Sequence, residues 1–245
     1  MAISRTQLVK ELEPGLNALF GLEYKRYENQ HAEIYVTESS DRAFEEEVML
    51  SGFANAQTKA EGQGVSFDTA QETYSARYTH DTIALAFAIT EEAIEDNLYD
   101  RLASRYTKAL ARSMSNAKQV KAVSPLINGL PSTDNFDSGD GVSLFSTNHS
   151  TVSGTAVKNT LTTQADLNET SLEQALIDIA AMTDERGLRV AARAMKMIIP
   201  SANQFTAERL MKSQGRTGTA DNDINAVSSM GMVPQGYRVN NFLTD

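Results

Sequence analysis

Along the chain the spacing of apolar positions shifts between helical and strand-like periods, and the shifts outline the elements. Thr6–Phe20 is predicted as a short helix interrupted at Pro14-Gly15, because proline forfeits a backbone donor and crowds the preceding turn. After Gly21 a polar stretch with scattered Tyr24, Tyr27 and Tyr35 reads as an arm that seeks another surface, or as a mobile terminus. Phe44–Ser51 fits a strand or a short helix, and periodicity does not decide between them. Residues 52–72 are rich in Gly, Gln, Ser and Thr around Glu61-Gly62-Gln63-Gly64, which predicts a projecting hairpin or loop. Tyr74, Ala76 and Tyr78 then alternate with polar residues, and Ile83, Leu85, Phe87 and Ile89 alternate with Ala84, Ala86 and Ala88. Period two sets the large side chains on one face and the alanines on the other, predicting a long ribbon that enters a buried sheet.

The strongest helical signal follows. Thr90 can cap a helix whose first turn holds Glu91 and Glu92, and Ile94, Leu98, Leu102, Tyr106, Leu110, Met114 and Ala117 recur every three or four residues. Arg101, Arg105, Lys108, Arg112, Lys118 and Lys121 populate the later turns, an order that complements the helix dipole. From residue 91 to 123 such a helix is roughly 50 Å long at 1.5 Å per residue. Ser124-Pro125 is its expected end. Residues 128–163 are dominated by Gly, Asp, Ser, Thr and Asn, a long surface excursion with short strands around Val142–Phe145. A helical face returns over 165–183 with Leu172, Leu176 and Ile179, and Asp184-Glu185-Arg186-Gly187 makes a turn. Met195, Met197 and Ile199 alternate before Pro200 as a strand, and a helix runs from Ser201 or Ala202 to Met211. The apolar stretch Met230–Leu243 closes the chain. The mixture of elements with long loops predicts an α+β fold and no regular βαβ repeat.

Composition narrows the function. The chain has 245 residues, no Cys and no Trp, with 41% hydrophobic residues, enough to bury substantial cores. Without cysteine there is no disulfide, thiolate nucleophile or Cys-based metal site. No apolar run reaches membrane-spanning length, and no signal-peptide core follows the N-terminus. The net charge of −10 opposes broad nucleic-acid binding, although an acidic wall can enclose a polyanion without gripping it. Residues 1–90 hold much of the acidic excess, with 7 basic and 14 acidic side chains.

Candidate chemistry is sparse. His31, His80 and His149 lie far apart with no metal-ligand spacing, so each reads first as a surface or structural histidine. Asp134, Asp137 and Asp140 share a polar loop but lack the ordered spacing and terminal glutamate of a calcium loop. Glu45-Glu46-Glu47 reads as a charged element face. Glu61-Gly62-Gln63-Gly64 lacks the strand and helix context of a dinucleotide site and the ending of a phosphate loop. No GxSxG elbow is present, and the glycosylation tripeptides at Asn148 and Asn168 have no secretion signal to give them meaning. The expectation is therefore no catalytic residue, no cofactor and no metal.

The order of several segments resembles the major capsid protein family of tailed bacteriophages with the HK97-like fold, especially the major head subunits of Mu-like phages. The residues that carry it are Leu144-Phe145-Ser146-Thr147-Asn148-His149, Thr183-Asp184-Glu185-Arg186-Gly187, and the passage Met197-Ile198-Ile199-Pro200-Ser201-Ala202-Asn203-Gln204-Phe205-Thr206-Ala207. Leu210-Met211-Lys212-Ser213 and Asn222-Asp223-Ile224-Asn225 continue the order. The resemblance implies an N-terminal arm over 1–40 and a peripheral region over 41–164, with an extended E-loop at 52–78 and a spine helix at 91–123. A predominantly axial domain follows over 165–245, with further C-terminal structure expected past Asp245.

The same resemblance implies a non-enzymatic subunit that self-assembles through hexamers and pentamers into an icosahedral or prolate head around double-stranded DNA. Its partners would be identical subunits with scaffold, portal and decoration proteins, without sequence-specific DNA binding or a membrane. Its place would be the virion capsid, after assembly in the bacterial host cytoplasm. Lys59 lies in the expected E-loop, but no acceptor motif for a crosslink accompanies it. The competing readings are a non-capsid shell or phage accessory protein, and an enzyme that uses a polar loop as a lid.

Overall fold

The computed structural model describes residues 5–88, 90, 99–131, 137–216 and 223–244. It comprises two compact units, one made of Met1–Thr37 with Asp81–Val123, the other of Glu38–His80 with Ser124–Asp245.

The first unit contains helix α1 (Arg5–Tyr24), a 3-10 turn (Gln30–Glu33) and most of helix α2 (Tyr99–Ile127). Contrary to expectation, α1 runs unbroken through Pro14 and Gly15. A proline removes one ladder bond, and the remaining bonds of a 20-residue helix carry the backbone across it. The same correction applies to α2, which continues past Pro125 to Ile127. The chain leaves it with the Asn128 amide donating to the Ser124 carbonyl at 2.9 Å. The expected first two turns at 91–98 lie outside the described residues.

The buried side of α2 differs from the predicted apolar stripe. Ala103, Thr107, Ala111, Ser115, Gln119 and Val123 are buried, a row at intervals of four, whereas Tyr106 is 52% exposed. This row is one of the ridges along which helices pack, and it mixes small side chains with the larger Gln119 and Val123. Hydrophobicity alone pointed to the flank of the contact and missed its centre.

Two tethers join other segments to α2. Gln119 accepts from the His31 amide at 3.1 Å and donates to the Glu28 carbonyl at 3.2 Å, which fixes the 3-10 turn against the helix. Residues 81–88 lie along α2 in the opposite direction: Asp81 pairs with Lys121, and the Phe87 ring sits 5.9 Å from that of Tyr106. Fifteen helical residues span about 22 Å, and six extended residues about 20 Å, so the two runs match in length. The expected ribbon is thus corrected here: residues 81–88 are extended but belong to no strand among the described residues.

The second unit begins with the hairpin of β1 (Phe44–Leu50) and β2 (Glu72–Thr79), antiparallel with Phe44 opposite Thr79 and Val48 opposite Ser75. This resolves the Phe44–Ser51 ambiguity in favour of strand. Later elements are α3 (Glu169–Ala180), β3 (Met197–Pro200), a 3-10 turn (Ser201–Asn203), α4 (Gln204–Lys212), α5 (Ala226–Met230) and β4 (Tyr237–Asn240). β3 and β4 are parallel, with Met197 beside Tyr237 and Pro200 beside Asn240. The core joins Leu172 and Leu176 of α3 to Leu210 of α4, Val227 of α5 and Val233.

Asn168, read from sequence only as a formal glycosylation acceptor, caps α3: its side chain accepts from the Ser171 amide at 2.9 Å, and Ser171 Oγ accepts from the Asn168 amide at 3.0 Å. Asn225 is buried and donates to the Leu210 carbonyl at 2.8 Å and the Ser213 carbonyl at 3.1 Å while capping α5.

Candidate assembly surface

The hairpin of the second unit and the loop it carries expose several large apolar side chains. Phe67 is 98% exposed, Val65 70%, Leu50 67% and Phe53 62%. Strand alternation puts Phe44, Glu46 and Val48 on one hairpin face together with Arg77 of β2. Arg77 lies 4.4 Å from the centre of the Phe44 ring and pairs with Glu46 at 3.4 Å, so the charges on this face neutralise each other. The opposite face is covered near Tyr74 and Ala76 by the long loop. A Cβ on Gly139 would stand 2.9 Å from the Tyr74 ring and 3.5 Å from Ala76 Cβ. One face of the ribbon therefore rests on the long loop around Tyr74 and Ala76, and the other exposes Phe44 and Val48 beside the Glu46–Arg77 pair.

A two-stranded ribbon is marginal by itself, and here its root is closed by side chains. The Ser51 amide donates to the Gln71 carbonyl at 2.9 Å, and the Gln71 amide donates back to Ser51 Oγ at 3.0 Å. Farther out, Asp68 accepts from the Ala54 amide at 2.7 Å and the Thr69 amide at 2.9 Å. Those two amides hold the Asp68 carboxyl below its ordinary pKa, with a smaller contribution from Arg186. Between these rungs reaches Arg186, whose Nε donates to the Gly52 carbonyl at 3.1 Å. Its Nη2 donates to the Thr69 carbonyl at 2.6 Å.

Arg186 is aimed by the turn predicted at Asp184–Gly187. Asp184 Oδ1 accepts from the amides of Arg186 at 3.0 Å and Leu188 at 2.7 Å, and Gly187 takes φ 81°, a left-handed geometry that suits glycine. Glu185 of the same turn accepts from Tyr74 Oη at 3.4 Å and from the Val152 amide at 3.2 Å. Burial raises the Tyr74 hydroxyl pKa, and the charges of Glu185 and Asp140 raise it further. One turn thus grips the hairpin with one side chain and the long loop with the next.

The loop has its own polar centre. Asp140 accepts from the Ser138 hydroxyl and the Val142 amide at 3.2 Å, and lies 2.8 Å from His149 Nδ1. Burial pushes Asp140 upward, but Ser138, His149 and the Val142 amide outweigh it and hold its pKa below the ordinary value. Ser138 and His149 both bind the carboxylate, so the three do not form a nucleophile–base–acid relay. They tie the loop together, helped by the bridge between His149 and Val157.

The remaining sequence candidates do not converge. His31 is buried beside Gln119, and His80 is exposed, its amide donating to the Ala43 carbonyl at 3.3 Å. Asp137 bridges to Ser143, and Asp134 lies outside the described residues. Glu45 and Glu46 pair with Arg42 and Arg77, and Lys59 and Asn148 are exposed. Among the described residues no group of three or more His, Asp or Glu could hold a metal ion, and no helix is long and apolar enough to cross a membrane. An open depression of about 350 Å³ lies beside α3, but its Lys158 and Asp178 already pair at 2.8 Å. Sequence spacing missed Arg186, whose targets lie 117 and 134 residues away. Its only local signal was the turn that carries it.

A family profile described as phage capsid protein matches residues 73–245. The chain belongs to the phage capsid protein family. Among solved structures, the capsid protein shares its fold with a chain of the bacteriophage JBD30 capsid decorated with minor capsid protein trimers. The TM-score is 0.65 at 12% identity, covering 89% of this chain and 92% of that one. A chain of the JBD30 procapsid gives a TM-score of 0.60 at 14% identity, covering 98% and 100%. A JBD30 capsid chain gives 0.57 at 12% identity, covering 84% and 88%. No curated protein sequence matches. For the capsid protein, the exposed ribbon and its polar root are therefore features of a structural subunit.

Proposed function

We propose that the chain is the major capsid subunit of a tailed phage, of the HK97-like fold and nearest in kind to Mu-like head subunits. In this reading residues 1–40 are the arm, 52–78 the E-loop, 91–123 the spine helix, and 165–245 the greater part of the axial domain. Copies join as hexamers and pentamers into an icosahedral or prolate head that encloses double-stranded DNA. Scaffold, portal and decoration proteins assist, assembly takes place in the bacterial host cytoplasm, and the subunit catalyses nothing.

The observation that carries this reading is the hairpin, which with its loop exposes Phe44, Val48, Phe53, Val65 and Phe67 while Arg186 and Asp68 close its root. Bare apolar surface held on a braced element suits association more than chemistry. The family match and the fold shared with JBD30 capsid chains support a shell as the partner. Repeated over many copies, weak contacts of this kind make a cooperative lattice.

The test is electron microscopy of the purified chain, alone and with any co-encoded scaffold. Closed shells or capsomers are expected. A single small oligomer under every assembly condition would overturn the proposal.

A further inference from the structure

Six of the chain's 22 basic residues and none of its 32 acidic ones lie between Arg101 and Ile127, so α2 from Arg101 onward is cationic in a protein of net charge −10. Arg105, Lys108 and Arg112 are exposed and follow at intervals of three and four, which sets them on one face within about 10 Å of helix length. Among the described residues none of these three has an ion pair, whereas Lys121 pairs with Asp81. The helix dipole does not account for them, because its effect is confined to the last turn and Arg112 stands about four turns before Ile127. Like charges at this spacing repel and weaken a helix. An anion from outside the described chain would compensate them.

The neighbours on this face narrow the partner. Ala109 and Asn116 flank the cations and are exposed, while the large exposed side chains Tyr106 and Val120 point about a quarter turn away. A docked protein helix relies on apolar anchors, whereas a sugar–phosphate backbone is held by hydrogen-bonding cations alone. No aromatic ring on this face offers a base a stacking platform, and Tyr106 already packs on Phe87, which favours a duplex over a single strand. We infer that Arg105, Lys108 and Arg112 of α2 bind the phosphate backbone of double-stranded DNA without reading its bases. One strand carries a phosphate about every 3.4 Å of axis, so the three cations face about three phosphates. The guanidinium forks at either end of the row suit phosphate oxygens. The inference deepens the shell-forming reading above and rests on it only for what brings duplex DNA to the subunit. The acidic remainder of the chain keeps the contact weak for one copy, and many copies on one duplex strengthen it through avidity.

Fluorescence anisotropy of a labelled duplex titrated with the unassembled full-length subunit tests the inference. Neutralising three phosphates should make the affinity fall about 75-fold between about 20 and 100 mM salt. Arg112→Gln should flatten that fall to about 20-fold, and Arg112→Lys should keep it, because the salt dependence counts charges. Lys118→Gln removes the same charge about a third of a turn away and should leave the fall unchanged, with circular dichroism verifying that each variant folds. Absence of binding at about 20 mM salt, where counterion release is most favourable, overturns the inference. So does equal flattening by the two glutamine variants, which would show net charge acting alone. Tighter binding of a single strand of the same sequence, or equal binding of a polyglutamate peptide, overturns it in favour of those partners. Electron microscopy scores shell formation separately: shells without duplex binding sink this inference alone, and duplex binding without shells sinks only the shell-forming reading.

Discussion

Replacing Arg186 by alanine should open the root of the hairpin while leaving the rest of its unit folded. The side chain makes two well-placed bonds to backbone carbonyls, at 3.1 Å to Gly52 and 2.6 Å to Thr69, and a weak one at 3.4 Å to Ser51. Charged hydrogen bonds contribute about 1.5–3 kcal/mol each when buried. This guanidinium is half-buried, so solvent screening reduces each to about 1 kcal/mol. The loss is then about 2 kcal/mol, or roughly a 30-fold rise in the open population of the ribbon root. Amide hydrogen exchange at Ser51, which donates to Gln71 across the root, reads this directly. Arg186→Lys should recover part of the protection, because an ammonium can serve one carbonyl but cannot span both in a fixed fork. Exchange at Ser51 within about threefold of wild type would refute the reasoning, since screening would then have erased the clamp. Equal acceleration in the α3–α4 core would also refute it, by showing that Arg186 supports the whole unit.

Three further outcomes follow from the same geometry. Gly129→Ala should lower thermal stability by about 1–3 kcal/mol, because the new Cβ would lie 2.7 Å from the Phe145 ring and 2.8 Å from the Pro125 carbonyl; an unchanged melting temperature would contradict the tight docking. Asn225→Ala should cost about 2–4 kcal/mol in urea unfolding. It removes the donors to Leu210 and Ser213 along with the cap on α5. Asn225→Asp should recover only the cap. Asp140 has its folded pKa below the unfolded value, so its stabilisation is present above the ordinary carboxylate range and is lost as pH falls through the folded pKa. Protection of the His149 and Val157 amides, taken relative to the intrinsic exchange rate at each pH, should therefore fall on acidification in the wild type, whereas in Asp140→Asn it should be lower at neutral pH and change little with acid.

Local pattern was a good guide where one element buries one face. Met195, Met197 and Ile199 marked the strand that became β3, and Leu172 with Leu176 marked the inward face of α3. It failed where the remaining bonds of a long helix carry the backbone past a missing donor, as at Pro14 and Pro125. The α2 stripe was displaced because the buried row is largely small or polar, and a hydrophobicity pattern gives little weight to Ala103, Thr107 or Ser115. In the candidate surface, the turn that aims Arg186 was legible from Asp184 and Gly187. The carbonyls it meets were not, since any backbone can offer one. The Asp140–His149 pair joins residues only nine apart, yet the loop path that joins them is irregular and leaves no period to read.

The contact at Gln119 has a consequence for how the N-terminal segment responds to solution conditions. A carboxamide offers the same donor and acceptor as a peptide group, and this one accepts from His31 N–H while donating to Glu28 C=O. The helix thus holds the segment through a side chain that imitates main chain. That junction carries no net charge and is buried, so added salt has little to screen. The Asp81–Lys121 tether on the same helix is exposed and ionic, and rising salt weakens it. Ionic strength can therefore loosen the extended segment at 81–88 while the turn at 30–33 stays fastened, so two attachments to one helix answer to different variables.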